Sequence, residues 1–131
     1  MSTDLTVAAI MQTDCPVLAR EMPIRRAVAL LVEGGVAAAS VTDESGALVG
    51  ILTQKDCFRP ALHASYYQEW KGTVADHMTA GAVSLSTSDD LISAVQAFLD
   101  HPHRGFPVLD EGRLVGMLRR ADVLAALLRV G

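Results

Sequence analysis

The sequence predicts an α+β fold made of two copies of one small module, each ordered short helix, strand, helix, strand, strand, helix. Three observations carry that expectation. Gly46–Asp56, reading GALVGILTQKD, returns as Gly112–Asp122, reading GRLVGMLRRAD, with six of the eleven positions identical. The similarity continues outward with an offset of 67 residues before the acidic turns and 66 after them, pairing Thr6-Val7-Ala8 with Thr73-Val74-Ala75, Met11 with Met78, Leu18 with Leu85, and Val41 with Val108. A self-similar stretch of about 60 residues is too long for a solenoid unit of one or two elements, so it marks a duplicated small domain. The expected organisation is one repeat at 1–65, a linker at 66–73 and a second repeat at 74–131.

Each element has its own local warrant. Thr6 and Thr73 precede Val7-Ala8-Ala9-Ile10 and Val74-Ala75-Asp76-His77, a cap followed by a single helical turn. Short extended segments follow at Pro16-Val17-Leu18 and Ala82-Val83-Ser84-Leu85. The first long helix of each repeat is amphipathic: Ile24, Ala27, Val28 and Leu31 share one face, as do Leu91, Ala94, Val95, Phe98 and Leu99. Pro23 suits a first helical position, and Ser88, Asp89 and Asp90 supply a cap and negative charge at a helix start. Gly34-Gly35 ends the first helix, whereas Pro102 stops the second. Two hairpins come next, Ala37–Thr42 with Ala47–Leu52 and Gly105–Leu109 with Arg113–Leu118. Little polar alternation in them implies helices covering at least one face. A closing helix follows each hairpin, and Pro60 calls for a kink or restart in the first of them.

Composition bounds the function. At 131 residues two halves of about 60 are each marginal alone, so they should bury their apolar faces together. Half of the residues are hydrophobic and the net charge is −4, a balance that does not suit generic nucleic-acid binding, which needs a basic surface. Cys15 and Cys57 have no second Cys or His at ligand spacing, so buried or half-buried free thiols are expected rather than a disulfide or zinc site. Met1-Ser2-Thr3-Asp4 lacks the pattern of a signal peptide. Glu33 and Arg129 interrupt the two best apolar runs. A cytoplasmic protein without membrane association follows.

Four of the six aromatic residues lie at 58–72: Phe58, Tyr66, Tyr67 and Trp70. They form either a helix end and linker packed on neighbours, or a subunit contact.

The duplicated pattern, with Gly-x-Leu-Thr-x-x-Asp at Gly50–Asp56 and Phe-Pro-Val-Leu-Asp at Phe106–Asp110, resembles a tandem pair of cystathionine-β-synthase-type (CBS) domains, a Bateman module, from about Val7 to Leu128. The resemblance implies two half-domains related by a pseudo-twofold axis, with a cleft between them that takes AMP, ADP, ATP or S-adenosylmethionine as a regulatory ligand. It implies no required cofactor, a homodimer and no catalytic residues.

Within that frame Thr53 and Asp56 suit a ribose-phosphate ligand, because a strand delivers them to a helix start where N–H groups favour an anion. The Asp56 carboxylate can accept from both ribose hydroxyls and the Thr53 hydroxyl can serve a phosphate oxygen. Thr-x-x-Asp is also a capping-box-like helix start that needs no ligand. Family matches on the first strand and before it fall at Thr13, Pro16 and Val17, and Ala39-Ser40-Val41 occupies the position of Phe106-Pro107-Val108, with Ser40 in place of the usual proline. In the second repeat Arg119 replaces the Thr, Ala80 replaces the equivalent of Thr13, and Asp122 remains. Arg119 either clamps a phosphate or fills its own site, and Arg104 and Arg120 add positive charge there.

His101 and His103 flank Pro102 without a partner that would complete a zinc site. No phosphate loop, nucleophile elbow or pair of placed carboxylates is present, so the chain is not expected to be an enzyme. Two functions stand: a nucleotide-sensing module acting on a separate, unknown protein partner, and a ligand-free dimerisation or scaffold module.

Overall fold

The computed structural model describes residues 5–130, so the signal-peptide expectation for residues 1–4 lies outside it. The chain runs through α1 (Val7–Ile10), β1 (Val17–Ala19), α2 (Ile24–Gly34), β2 (Ala38–Thr42), β3 (Leu48–Thr53), a 3-10 turn (Lys55–Cys57), α3 (Phe58–Tyr67), α4 (Val74–His77), β4 (Thr79–Ala80), β5 (Leu85–Ser86), α5 (Leu91–Asp100), β6 (Gly105–Asp110), β7 (Arg113–Arg119) and α6 (Arg120–Val130). The expected α+β succession is therefore present in both repeats.

These elements form two compact units that do not coincide with the sequence repeats. One is Cys15–Ala82, here the Asp56 unit; the other joins the described residues of Met1–Asp14 to those of Val83–Gly131, here the Asp122 unit. Each unit thus takes its opening helical turn from the other repeat. In the Asp56 unit the sheet order is β1-β2-β3-β4, parallel between β1 and β2 and antiparallel thereafter. In the Asp122 unit the order is β5-β6-β7 with the same senses, and Gln12 bridges Met117 of β7 at the place that β4 holds in the other unit.

The docking of the borrowed segments is repeated bond for bond. Val74 and Ala75 donate their N–H groups to the carbonyls of Met22 and Arg20 at 2.9 and 3.0 Å, while Val7 and Ala8 donate to Asp89 and Thr87 at 2.8 and 3.2 Å. Val74 and Val7 are fully buried in their respective cores. The repeated glycine of the Leu-Val-Gly motif follows from this arrangement. A Cβ on Gly50 would stand 2.8 Å from the Thr79 carbonyl oxygen, and one on Gly116 would stand 2.6 Å from that of Gln12. Only a residue without a side chain lets the borrowed backbone approach so closely.

Each core is the apolar face of a sheet covered by helices. Leu18, Ile24, Ala27, Leu31, Val41 and Leu52 fill the Asp56 unit. Phe106, Val108, Leu118, Leu91, Ala94 and Val123 fill the Asp122 unit, where the Phe98 ring meets Phe106 edge-on at 4.7 Å.

Several local expectations are refined. Pro23 is the N-cap of α2 rather than its first residue, and Gly35 closes that helix in the left-handed region at φ 63°. Asp90 caps α5, its side chain accepting from the Ser93 N–H. Leu99 does not share the buried stripe of α5 and is 75% exposed, since the eighth residue after Leu91 has rotated past the stripe's edge at 3.6 residues per turn. The first closing helix does restart, but at Phe58, after the 3-10 turn. Pro60 then sits in the first turn, where its missing N–H costs nothing. Thr73 forms a capping box with Asp76, whereas Thr6 makes no side-chain cap.

Three substitutions test this packing. Phe106→Ala should destabilise by about 3–5 kcal/mol in denaturant unfolding, and Leu99→Ala should stay within about 0.5 kcal/mol. Gly116→Ala should cost about 1–3 kcal/mol through overpacking against Gln12, and the Gln12 amide should lose hydrogen-exchange protection.

Candidate functional site

Of the residues singled out from the sequence, the structure gathers Pro16, Val17, Ala39, Ser40, Thr53 and Asp56 in one unit and Thr13, Arg104, Phe106, Pro107, Arg119 and Asp122 in the other. Thr13 falls in the compact unit of Asp122, next to Gln12, which bridges Met117 of β7. Ala80 is its counterpart in the Asp56 unit, paired with Gly50.

Strand alternation sorts the rest. Ala39 and Phe106 turn their side chains into the cores. Ser40 and Pro107 occupy the opposite faces of their sheets and are nonetheless buried. Ser40 sits between Val17 of β1 and Ile51 of β3 in register.

Thr53 ends β3 and Asp56 lies in the 3-10 turn that follows. The Thr53 N–H donates to Asp56 Oδ2 at 2.9 Å, and the Asp56 N–H donates to Thr53 Oγ1 at 3.2 Å. This is the reciprocal geometry of a capping box, so the structural role of Thr-x-x-Asp is realised. It does not exhaust the groups: Asp56 Oδ1 takes no hydrogen bond from any described residue, and the Thr53 hydroxyl retains its proton for donation. The box therefore holds a half-exposed carboxylate and a hydroxyl in fixed orientation. Cys57, which the sequence marked only as a free thiol, ties the strand end from below, its Sγ–H donating to the Thr53 carbonyl at 3.3 Å. Burial, and secondarily the Asp56 charge, push the Cys57 thiol up, which keeps it neutral in this role.

The second copy is wired differently. The Arg119 N–H donates to Asp122 Oδ2 at 2.9 Å, its Nε to the same oxygen at 3.1 Å and its Nη2 to Oδ1 at 2.9 Å, a forked ion pair. Gln12 Nε2 adds a fourth donor, to Oδ1 at 3.1 Å. Of the two roles open to Arg119 from the sequence, the structure thus has it engaged with Asp122. Arg120 is also committed: its N–H and Nε donate to the carbonyls of Arg104 and His103 at 3.1 and 2.9 Å. Gln54 makes the same pair of bonds to Ala37 and Val36 in the other unit. Arg104 is exposed.

Burial raises the Asp122 pKa, but the Arg119 hydrogen bonds, the Gln12 amide and the Arg119 charge outweigh it, and the net shift is downward. Gln12 was the residue that sequence reasoning missed. Its equivalent in the other repeat is Thr79, and nothing in either side chain foretells a partner 110 positions away.

His101 and His103 stack loosely at 5.3 Å and pack with Phe106. Among the described residues there is no group of three or more His, Cys, Asp or Glu side chains that could hold a metal ion, and no helix long and apolar enough to cross a membrane.

The depressed Asp122 carboxyl gives a signed pH expectation. A group with a lowered folded pKa contributes stability that is present above its unfolded value and is lost as pH falls through the folded one. The wild-type chain should therefore lose stability below about pH 4, and Asp122→Asn should be less stable at pH 7 with a shallower acid limb in pH-resolved thermal melts.

Comparison with known proteins places this geometry. The profile of the CBS domain matches residues 7–62 and again 74–129. The crystal structure of the CBS-pair protein CBSX2 from Arabidopsis thaliana superposes with a TM-score of 0.85 at 28% identity, covering 98% of this chain and 97% of that one. CBSX2 in complex with AMP superposes at 0.84 with 28% identity, covering 95% and 97%. A Thermofilum pendens protein, described as an uncharacterised 33.4 kDa protein in the ribosomal RNA operon, is 28% identical over 120 residues, 92% of this chain and 39% of its own length. The chain spans about two fifths of the length of the curated relatives it matches.

Proposed function

Because the chain belongs to the CBS-domain family, whose domain recurs in it twice, we propose that it is a regulatory, non-catalytic module that binds an adenosine nucleotide and modulates a separate protein partner. The observation that carries this is the Asp56 carboxylate, oriented by the Thr53 N–H yet open at Oδ1. A ribose offers two adjacent hydroxyls to such an acceptor, and the Thr53 hydroxyl can reach a phosphate oxygen. The complex of CBSX2 with AMP supports an adenine nucleotide as the ligand class. Pro16, Val17 and Ser40 share the unit and are proposed to line the base side, with ADP, ATP and S-adenosylmethionine as competing ligands. Cytoplasmic residence is part of the same proposal.

We further propose that the module works as a homodimer. On α3, Phe58, Leu62 and Tyr66 recur at every fourth residue and all are exposed, as are Leu124 and Leu128 on α6. Residues four apart share one helix face, so each closing helix presents an apolar stripe of the kind that interfaces cover.

A ligand-free scaffold is the second reading, favoured by the saturated carboxylate at Asp122. A thermal-shift panel of AMP, ADP, ATP, S-adenosylmethionine and NAD separates the two. A ligand at a hundred times its Kd stabilises by about 2.7 kcal/mol, whereas no shift with any of them would favour the scaffold. In calorimetric titration Asp56→Ala should weaken AMP binding about tenfold or more, since charge-assisted hydrogen bonds are worth about 1.5–3 kcal/mol each. Light scattering should give twice the 13.9 kDa chain mass, and Leu62→Glu should reduce it to the monomer; a monomeric wild type would refute the dimer.

A further inference from the structure

The two copies of the Asp carboxylate present opposite hydrogen-bonding states, and a count of acceptor sites makes the contrast quantitative. An ionised carboxylate has about four lone-pair positions, two on each oxygen. At Asp122 four donors are in place: the Arg119 N–H and Nε on Oδ2, and Arg119 Nη2 and Gln12 Nε2 on Oδ1. Its side chain is only 7% exposed. At Asp56 one donor is in place, the Thr53 N–H on Oδ2. A diol therefore finds room at Asp56 and none at Asp122.

The difference traces to position 119. In the first copy the residue at the strand end is Thr53, whose hydroxyl accepts from the Asp56 N–H and leaves the carboxylate alone. Arginine has five donors and no acceptor, so Arg119 turns its fork into the carboxylate instead. Gln12, at the position equivalent to Thr79, adds a bond from its neutral amide on the borrowed edge segment and braces the arrangement. A ribose entering here would have to exchange a planar, charge-assisted pair for two neutral hydroxyl donors, an exchange that disfavours the ligand.

We infer that Arg119 sets the nucleotide stoichiometry of the chain: engaged with Asp122 and braced by Gln12, it shuts the second carboxylate to a ribose and leaves one adenosine site, at Asp56. This presupposes Asp56 as the ribose-binding group. Arg119 is thus a specificity-determining residue through what it occupies, and Gln12 a positioning residue.

Isothermal titration of the full chain with AMP tests the inference. The wild type should take one AMP per chain and Arg119→Thr should take two, with the double variant Arg119→Thr/Asp122→Ala returning to one. Two per chain in the wild type, or one per chain in a folded Arg119→Thr, overturns it. Should Arg119→Thr lose its circular-dichroism signal, Arg119→Met, which keeps the apolar stem and removes the fork, carries the same expectation. Failure of the underlying reading looks different: the wild type would take no AMP, or Asp56→Ala would bind AMP as well as the wild type does. In that event Arg119→Thr still decides, since uptake of one AMP more than the wild type supports Arg119 as the closing residue and no added uptake overturns it.

Discussion

The close approach of a borrowed backbone to a glycine, Thr79 against Gly50 and Gln12 against Gly116, is the constraint on which the rest of this structure depends. Each edge segment carries a valine into the core of the unit that receives it and completes the hydrogen bonding beside the central hairpin. A side chain at either glycine would meet a carbonyl oxygen inside contact distance. Since an unpaired sheet edge is both an energetic and an aggregation liability, the segments contribute pairing as well as burial. The reciprocal loan also makes each unit incomplete without residues from the other sequence repeat. Two modules of about 60 residues, each marginal alone, are in this way bound into one folding problem.

On this duplicated frame the chemistry has diverged at single positions. Gln54 and Arg120 make matching pairs of backbone bonds at the entrances of the closing helices, although one is neutral and the other charged. One step earlier in the chain the same kind of replacement has the opposite consequence. The Thr53 hydroxyl accepts from its aspartate's N–H, whereas the Arg119 side chain can only donate to its own. A frame that tolerates arginine as a pin at one position turns it into a lid at the next.

Much of this was legible in the sequence, and the failures are instructive. The hairpins, both long helices and the helix restart near Pro60 were readable because their signals are local: stripes, caps, glycines and prolines. The partnership of the opening turns was not, because Thr6-Val7-Ala8 and Thr73-Val74-Ala75 look alike and nothing in them names the unit on which each docks. Nor do runs of buried residues such as Ala39-Ser40-Val41 give a polar alternation from which to choose the face that each side chain takes. The Thr-x-x-Asp pattern carried both of its meanings, and only the geometry shows that a capping box leaves one carboxylate oxygen open.

The central claim is that one carboxylate is available and its duplicate is closed. A titration of the isotopically labelled chain with AMP, followed through backbone amide resonances, addresses it most directly. The amides of Thr53 and Asp56 should shift in a saturable manner while those of Arg119 and Asp122 stay in place. Shifts of comparable size and affinity at both pairs, or shifts at Arg119 and Asp122 alone, would contradict the account.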